Sequence, residues 1–351
     1  MMVALVRPPA PSPVTPVAPP PASTVAPVLA GVAGVASWRA LGTYVHLRTA
    51  DPDLIGSARA IAEHVLDAVD VACSRFRGDS DLTRANRATG PVAVSPVLVG
   101  AVRVALEAAE VTDGLVDPTL GRLLEAAGYD RTFTMVHAHD PTPVALPQRR
   151  ASWREVRVTD ATLEVPPTVS LDLGATGKAY AADLVALALC RLLPTAVVVS
   201  VGGDVRAAAP EPSDSGSAAG VAWPVELGRS LAEVDAGRPV ASVRVEDGGI
   251  ATSSATVRRW ERGGRQWHHV LDPRTGEPAA GPWVTVTALG PTCVAANTAT
   301  TAALVLGHDA PDWLERHEVA ALLVHADGAL LRTPAWLAAG VEENAPVGGA
   351  R

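Results

Sequence analysis

Hydrophobic residues recur along the chain with two different periods, one helical and one extended. After Asp51-Pro52, the apolar residues Ile61, Val65 and Val69 lie four positions apart, which predicts an amphipathic helix. The same kind of spacing predicts a helix from Ser95-Pro96 to about residue 112, and further helices over about 175–193 and 292–306.

Alternating or β-branched runs predict the strands. They cover 38–49, two short stretches within 154–165, the buried run "AVVVSV" ahead of Gly202-Gly203, and a final pair around Asp327-Gly328. Further strands are expected at 221–228, 240–246, 256–262 and 265–271, with "RGGR" as the turn between the last two. The polar segment 74–90 is expected to be a loop.

Strands and helices follow one another irregularly, without a fixed repeat and without a linker between two cores. This order favours one large α+β domain of mixed sheets with packed helices, which we expect over residues 37–335. The Pro/Ala-rich segment 1–36 is expected to be a disordered arm, because repeated proline is incompatible with a regular helix or a central strand. Residues 336–351 are expected to be a flexible tail.

Composition limits the classes of function. Hydrophobic residues make up 48% of the chain and charged residues 19%, so a large core is expected. The net charge of −8 argues against a nucleic-acid partner. The apolar stretch after the proline-rich segment is too short to cross a bilayer, and we find neither a lipobox cysteine nor a convincing signal peptide. We therefore expect a cytoplasmic protein, with export and membrane association as the alternative.

Cysteine and lysine are both sparse. Cys73, Cys190 and Cys293 form no CxxC pair, which excludes a disulfide scaffold and the usual structural zinc site. Lys178 is the one lysine among 29 Lys and Arg residues, and it lies in "LDLGATGKAYAADL", where a strand turns through glycine into a helix. A cation at a helix N-terminus favours anion binding. A glycine-rich turn capped by Asp172 explains the same pattern.

Three other segments contain candidate ligand-binding groups, each with a purely structural explanation as well. Gly202-Gly203 would let a ligand approach the backbone, or would only form a tight turn. Asp117 in "TDGLVDPTLG" would cap a helix, or accept a hydrogen bond from a ligand. Asn297 and Thr301 are four residues apart on a predicted helix, so both oxygens face one direction. They would either bind a hard cation or belong to a small-residue helix that packs on a sheet.

The segment "WHHVLDPRTG" contains two adjacent histidines ahead of an acidic turn. In a strand, His268 and His269 would point to opposite sides. A hairpin end with one solvated and one packed histidine explains this pattern, and so does a site that uses one of the two. We expect His269 to face the site and His268 to be packed or solvated.

In their order along the chain, these segments resemble the ApbE family of FAD:protein FMN transferases, or flavin transferases. The resemblance covers about residues 38–333 and runs through "RALGT", "CSRFRGDSDLTRAN", "TDGLVDPTLG", "LDLGATGKAYAADL", "VSVGGD", "GGIATSSATVRRW", "HHVLDPRTG" and "PTCVAANTATTAALVLG". It implies transfer of the FMN part of FAD to a Thr or Ser hydroxyl of an acceptor flavoprotein, with release of AMP and with Mg²⁺ near the pyrophosphate. A non-catalytic FAD-binding module and an FAD pyrophosphatase are the alternatives.

The resemblance also implies individual site residues. The catalytic group is His269, Lys178 and Asp272, with His269 or a nearby aspartate as the proton acceptor. The expected Mg²⁺ ligands are the carbonyl of Ala175 and the side chains of Asn297 and Thr301. Contacts to FAD are expected at Leu41, Phe76, Leu115, Val116, Asp117, Asp172, Lys178, Gly202, Gly203, Ser253, His269, Asp272 and Thr275.

Two positions depart from the family pattern. Leu41 stands where the family often has Met, and Asn297 stands where it commonly has Asp. An amide oxygen can coordinate Mg²⁺, but it contributes no negative charge. We therefore expect weaker Mg²⁺ binding without FAD, with the pyrophosphate and another carboxylate supplying the charge.

Overall fold

A computed structural model describes residues 3–6, 33–147, 152–211, 221–228, 239–339 and 341–343 of the 351-residue chain. The strands are β1 (Val3–Val6), β2 (Gly34–Ala40), β3 (Thr43–Thr49), β4 (Val92–Ala93), β5 (His139–Asp140), β6 (Arg157–Val158), β7 (Thr162–Glu164), β8 (Val197–Val201), β9 (Asp204–Ala208), β10 (Trp223–Gly228), β11 (Ala241–Val245), β12 (Gly248–Ser254), β13 (Arg259–Arg262), β14 (Arg265–His268), β15 (Trp283–Gly290), β16 (Ala321–His325), β17 (Leu330–Arg332) and β18 (Glu342–Glu343). The helices are α1 (Ile55–Cys73), α2 (Asp81–Arg87), α3 (Pro96–Val111), α4 (Gly121–Ala126), α5 (Gly177–Leu192), α6 (Cys293–Leu306), α7 (Ala310–Arg316) and α8 (Pro334–Ala338).

An eight-stranded antiparallel sheet, in the order β17-β16-β15-β12-β9-β8-β3-β2, forms the centre of the fold. Both faces of β8 are covered, which explains its continuous apolar sequence. Val197 and Val199 pack against α1 and α5, whereas Val198 faces a second sheet and shares a core with Trp223 and Val225. The second sheet has the order β1-β10-β11-β18. The expected α+β class is therefore confirmed, as helices, a central sheet and a second sheet in layers.

Two smaller sheets complete the described part of the chain, in the orders β14-β13-β5 and β4-β7-β6. The β13–β14 hairpin turns at Gly263 and Gly264, both with positive φ (60° and 73°). Two-residue hairpin turns of this kind require positive φ at both central positions, so the predicted "RGGR" turn is confirmed.

Several predicted elements differ from the structure. The single strand expected at 38–49 is a hairpin, β2 and β3, because Leu41 (φ 50°) and Gly42 (φ 68°) form a tight turn. The loop expected at 74–90 contains α2, whose N-terminus is capped by Ser80 Oγ, which accepts from the Thr83 N–H at 3.0 Å. Strands β12 and β15 were not predicted from the sequence. For β12 ("GGIATSS") the reason is its high content of glycine and serine, because glycine disfavours strands.

Strands and helices continue beyond the expected domain, residues 37–335, at both ends. Val3–Val6 pairs antiparallel with β10, and β2 begins at Gly34. The run Val3–Val6 precedes the first proline, so no proline prevents it from forming a strand. Residues 7–32, which make up most of the expected arm, lie outside the described residues. At the other end, Trp336 is fully buried in α8 and Glu342–Glu343 pairs with β11, so the expected flexible tail is wrong for this part. Residues 344–351 lie outside the described residues.

Within the described ranges, no helix is both long enough and apolar enough to span a membrane.

Candidate active site

The turn between β8 and β9 determines where the site is built. Gly202 (φ 65°) and Gly203 (φ 97°) adopt left-handed conformations, and the Gly202 N–H donates to the Tyr44 carbonyl at 2.9 Å. A Cβ atom on Gly202 would lie 2.6 Å from Thr43 Oγ1. This close approach places the glycine turn next to the Leu41–Gly42 turn, so Leu41 and Gly202-Gly203 lie at the same edge of the central sheet.

Asp204, the first residue of β9, lies at the centre of a buried polar cluster. Its carboxylate is 1% exposed and accepts from Lys178 Nζ at the start of α5 and from Asn297 Nδ2 of α6, the latter at 3.2 Å. A buried carboxylate requires such partners. Two of the predicted residues, Lys178 and Asn297, are therefore joined by a third that was not predicted to be a site residue.

The oxygen atoms expected to bind a metal are grouped around α6. Asn297 Oδ1 is buried and has no hydrogen-bond partner among the described residues. Thr301 lies one turn further along α6, and its Oγ1 is 3.2 Å from Ser253 Oγ of β12. Ala175 packs near Ala302 of the same helix. A partnerless buried amide oxygen one helical turn from a hydroxyl fits a hard cation such as Mg²⁺, which takes oxygen ligands.

The charge at this metal position is low. Among the described residues, no group of three or more His, Cys, Asp or Glu side chains is arranged to hold a metal ion. The Asp204 carboxylate is paired with Lys178, and Asn297 is neutral. A divalent ion here would therefore depend on negative charge that a substrate brings.

The two histidines have different surroundings. His268, at the end of β14, is 8% exposed, and its Nε2 donates to the Ala279 carbonyl at 3.0 Å. His268 is thus packed, one of the two outcomes expected for it. Burial lowers the pKa of His269 well below its usual value, and the positive charges of Arg258, His268 and Lys178 lower it further. His269 is therefore uncharged at neutral pH and lies close enough to Lys178 to be influenced by its charge.

Asp172 is part of a second cluster, which includes two aromatic rings. Its Oδ1 accepts from the Gly174 N–H at 2.7 Å, and its Oδ2 accepts from Arg75 Nε. The Arg75 guanidinium carbon lies 4.3 Å from the Phe76 ring centroid and 4.8 Å from the Tyr129 ring centroid. The Phe76 residue is 41% exposed, so its ring is accessible to a planar ligand.

Hydrogen bonds connect the Asp172 cluster to the rest of the site. Arg258 Nη1 donates to Tyr129 Oη at 3.3 Å, which joins this cluster to the segment that faces His269. Asn86, on α2, bonds through both ends of its side-chain amide to the backbone of Leu171, at 2.8 and 2.9 Å. The segment ahead of Asp172 is therefore held by a residue from the region that was expected to be a loop.

The turn formed by residues 115–117 is largely buried, which leaves little side-chain surface for a ligand. Val116 is 3% exposed and packs with Ala302, so a flavin contact there would come from the backbone. Leu115 packs at the edge of the same cluster. Asp117 Oδ1 accepts from the N–H and the hydroxyl of Thr119, at 2.8 and 2.6 Å, so Asp117 closes a local turn. It does not cap α4, whose N-cap position is Leu120, and the helix cap considered from the sequence is therefore wrong.

Asp272 has a role in its own turn. Its Oδ1 accepts from the Arg274 N–H and from Arg274 Nε, both at 2.9 Å. Burial would raise the pKa of Asp272, but these bonds and the charge of Arg274 hold it below its usual value. A carboxylate held in this way is a poor proton acceptor, so its contacts favour shaping the turn over the expected catalytic role. Thr275 also serves this turn, since its Oγ1 accepts from the Glu277 N–H at 3.2 Å.

Sequence reasoning missed several members of the site: Arg75, Asn86, Tyr129, Asp204 and Arg258. Asp204 had a signal, because it directly follows the glycine pair. Asn86 and Tyr129 have partners 85 and 129 residues away along the chain, and no local pattern indicates such contacts.

The described residues therefore form an α+β domain in which a glycine turn, the Lys178–Asp204–Asn297 cluster and His269 make up the candidate site. The chain matches the model of the ApbE family over residues 41–323, and it belongs to this family. The FAD:protein FMN transferase of Klebsiella pneumoniae (strain 342) is 28% identical over 318 residues, which cover 88% of each chain. That of Treponema pallidum (strain Nichols) is 30% identical over 286 residues, or 77% of each chain.

Solved structures share the fold. The ApbE protein from Thermotoga maritima superposes with a TM-score of 0.72 at 23% identity, over 87% of this chain and 98% of that one. The flavinyl transferase ApbE from Pseudomonas stutzeri, in its apo form, gives a TM-score of 0.69 at 20% identity, over 87% of this chain and 97% of that one.

Proposed function

We propose that this protein transfers the FMN part of FAD to a Thr or Ser hydroxyl of an acceptor protein and releases AMP. The observation that carries the proposal is the buried Asp204 carboxylate, which holds the Lys178 ammonium, a cation for phosphate, together with Asn297, whose Oδ1 has no hydrogen-bond partner among the described residues. The relatives named FAD:protein FMN transferase, which align over most of this chain, support it.

The residues of the chain suit an in-line displacement at phosphorus. The acceptor oxygen forms a bond to the FMN phosphorus, the bond from that phosphorus to the bridging oxygen breaks, and AMP leaves with this oxygen. His269 takes the hydroxyl proton, because its neutral ring has a free lone pair. Lys178 balances charge on the phosphate oxygens, and the exposed ring of Phe76 provides a surface on which the flavin can stack.

Mg²⁺ is part of the proposal. Asn297 Oδ1, Thr301 Oγ1 and the Ala175 carbonyl would hold it, and Mg²⁺ would supply Lewis-acid polarisation of a phosphoryl oxygen when bound. Because Asn297 is neutral, the negative charge that balances Mg²⁺ would come largely from the FAD pyrophosphate.

Two other functions remain as alternatives. Asn297 in place of Asp favours a module that binds FAD without transferring FMN. A site open to water would instead favour an FAD pyrophosphatase, which produces free FMN and AMP.

One assay separates the three functions. The protein is incubated with FAD, MgCl₂ and a candidate acceptor protein, and flavin fluorescence on the denatured acceptor is measured together with free FMN and AMP. We expect covalent fluorescence on the acceptor and AMP in equal amount. Free FMN with AMP would indicate a pyrophosphatase, and intact bound FAD would indicate a binding module. Either of these results would overturn the proposed transfer.

A further inference from the structure

The first turn of α6 is held by a carboxylate from a neighbouring helix. Asp183 of α5 accepts from the backbone N–H groups of Cys293 and Val294, at 2.9 and 3.0 Å. N–H groups in the first turn have no partner within their own helix, so they need acceptors from elsewhere. Thr292 Oγ1 caps the next one, the Ala295 N–H, at 3.0 Å. Asp183 thus completes the cap of α6 from a different element.

The central sheet holds the same turn from the other side. Arg206 of β9 donates to the Pro291 carbonyl at 2.7 Å, and its Nε lies 3.6 Å from Asp183 Oδ1. Gly249 of β12 pairs with Arg206 in the sheet, and a Cβ atom on it would lie 2.2 Å from the Cys293 nitrogen. The first turn of α6 therefore packs directly against the backbone of β12 at Gly249. We call Asp183, Arg206 and Gly249 the α6 joint.

The α6 joint lies between the two halves of the site. Lys178 is five residues before Asp183 on α5, whereas Asn297 and Thr301 are four and eight residues after Cys293 on α6. A shift of the first turn of α6 would move Asn297 away from Asp204, to which its amide donates at 3.2 Å. The bonds from Asp183 fix this distance, because they tie the helix that carries Lys178 to the helix that carries Asn297.

We propose that Asp183 is a positioning residue, which sets the place of Asn297 and Thr301 relative to Lys178 and Asp204 through the α6 joint. The inference rests on the proposed function, because it assigns Asn297 and Thr301 to Mg²⁺. The carboxylate side chain of Asp183 is 20% exposed and is directed at two backbone N–H groups and at Arg206.

The decisive variant is Asp183→Asn, which keeps the size of the side chain but turns an amide N–H₂ group toward a backbone N–H. Three measurements are made: hydrogen exchange at the amides of Cys293 and Val294, binding of Mg²⁺ in the presence of FAD by titration calorimetry, and kcat and KM for FMN transfer. We expect faster exchange at both amides, with Mg²⁺ affinity and kcat each lowered by about tenfold or more, as is usual when a residue that orients a ligand is lost. The KM for FAD should change by less than about threefold, because the Phe76 and Asp172 cluster is untouched.

Two control variants separate positioning from stability. Asp247→Asn makes the same substitution on an exposed carboxylate that binds the outer side of Arg206 at 2.9 Å, and it should leave all three measurements unchanged. Thr333→Ala removes the cap of α8 and lowers Tm without touching the α6 joint. If Asp183→Asn matches Thr333→Ala in Mg²⁺ affinity and kcat, Asp183 is only structural and the inference is wrong. Absence of FMN transfer by the wild-type protein would overturn the proposed function instead, and the exchange and calorimetry would still test the joint.

Discussion

Asp204 shows how one buried carboxylate organises the site. Lys178 and Asn297 reach it from two different helices, and each would leave it short of a partner if removed. Removing one partner of a buried charge costs on the order of 3–5 kcal/mol in known cases. Asn297 can donate to Asp204, whereas an aspartate at this position would repel it unless a cation lay between the two.

This contrast gives a prediction for Asn297→Asp. We expect the variant to bind Mg²⁺ more tightly without FAD than the wild type does, because a second carboxylate joins the oxygen atoms. Its Tm without Mg²⁺ should fall, since the hydrogen bond to Asp204 is replaced by repulsion, and added Mg²⁺ should restore it. Titration calorimetry and thermal unfolding measure both effects. Asn297→Leu, which keeps the number and branching of the side-chain non-hydrogen atoms but has no oxygen, is the control. Unchanged Mg²⁺ affinity in Asn297→Asp would exclude Asn297 as a ligand.

His269 gives a second prediction at this scale. His269→Ala should lower kcat for FMN transfer by about 10²–10⁴-fold, the usual contribution of a general base. Because burial and nearby cations lower the pKa of His269, the wild-type rate should stay constant from pH 7.5 to below pH 6.5 and fall only at more acid pH. His268→Gln keeps a donor for the Ala279 carbonyl and is the matched control, with a rate within a few-fold of the wild type. Full transfer by His269→Ala would remove the histidine from the mechanism.

The sequence predicted those site residues that follow a local pattern. Strand β14 ends at His268, so the alternation predicted for His268 and His269 does not extend to His269. The spacing of Asn297 and Thr301, by contrast, follows from the helical period of α6. Arg75 is different, because its ion pair with Asp172 joins residues 97 positions apart. Such a contact depends on how α1, α2 and the segment before α5 pack together, and no short stretch of sequence contains that information.

Among the elements, α6 depends most on close packing. Its buried residues include Ala296, Ala299 and Ala303, and it packs on β12 at a position where only glycine fits. Small residues on both sides let helix and sheet approach without side chains between them.

A third prediction follows for Gly249→Ala. The new Cβ atom would lie 2.2 Å from the Cys293 nitrogen and 2.3 Å from the Thr292 carbonyl carbon, and both are backbone atoms that cannot rotate away. We expect a loss of at least about 1–3 kcal/mol in the free energy of unfolding, the range for overpacked sites. Urea unfolding measures it. Gly56→Ala is the control, because Gly56 is exposed on α1 with no atom within 4 Å of the new Cβ, so this variant should be neutral or up to about 1 kcal/mol more stable. Equal stability of the two variants would contradict the close approach.

Helices with a clear apolar period and a cap were the elements best predicted from the sequence. Ser95 caps α3 as expected, with its Oγ accepting from the Leu98 N–H at 3.3 Å. The hairpin at Leu41–Gly42 was missed because leucine rarely adopts the positive φ that this turn requires. Helix α2 was missed because its seven residues are too few to show a helical period.

At the scale of the whole molecule, the second sheet covers one face of the central sheet and a layer of helices covers the other. The continuous apolar run of β8 predicted a buried strand, but the second sheet that covers it comes from segments far along the chain. The layers were therefore not predictable from any local pattern, although the α+β class was.

The pKa values of His268 and His269 predict how global stability depends on pH. Burial lowers the pKa of both His268 and His269 in the folded protein, while the unfolded chain keeps values near 6.5. Below about pH 6.5 the unfolded state then binds more protons, so the stability that these histidines contribute above that pH is lost as the pH falls. Urea unfolding between pH 7.5 and 5.5 should show this decline, and His268→Gln should make it shallower. An unchanged slope in the variant would show that His268 does not titrate on unfolding.

The scarcity of lysine has a practical consequence. Lys178 is the one lysine in the sequence, and its side chain is 23% exposed while paired with Asp204. Apart from the α-amino terminus, a reagent selective for primary amines therefore has a single target, and this target lies in the candidate active site itself. The extent of labelling at Lys178 becomes a built-in reporter of occupancy, readable by mass spectrometry on the intact protein without introducing any dye or tag.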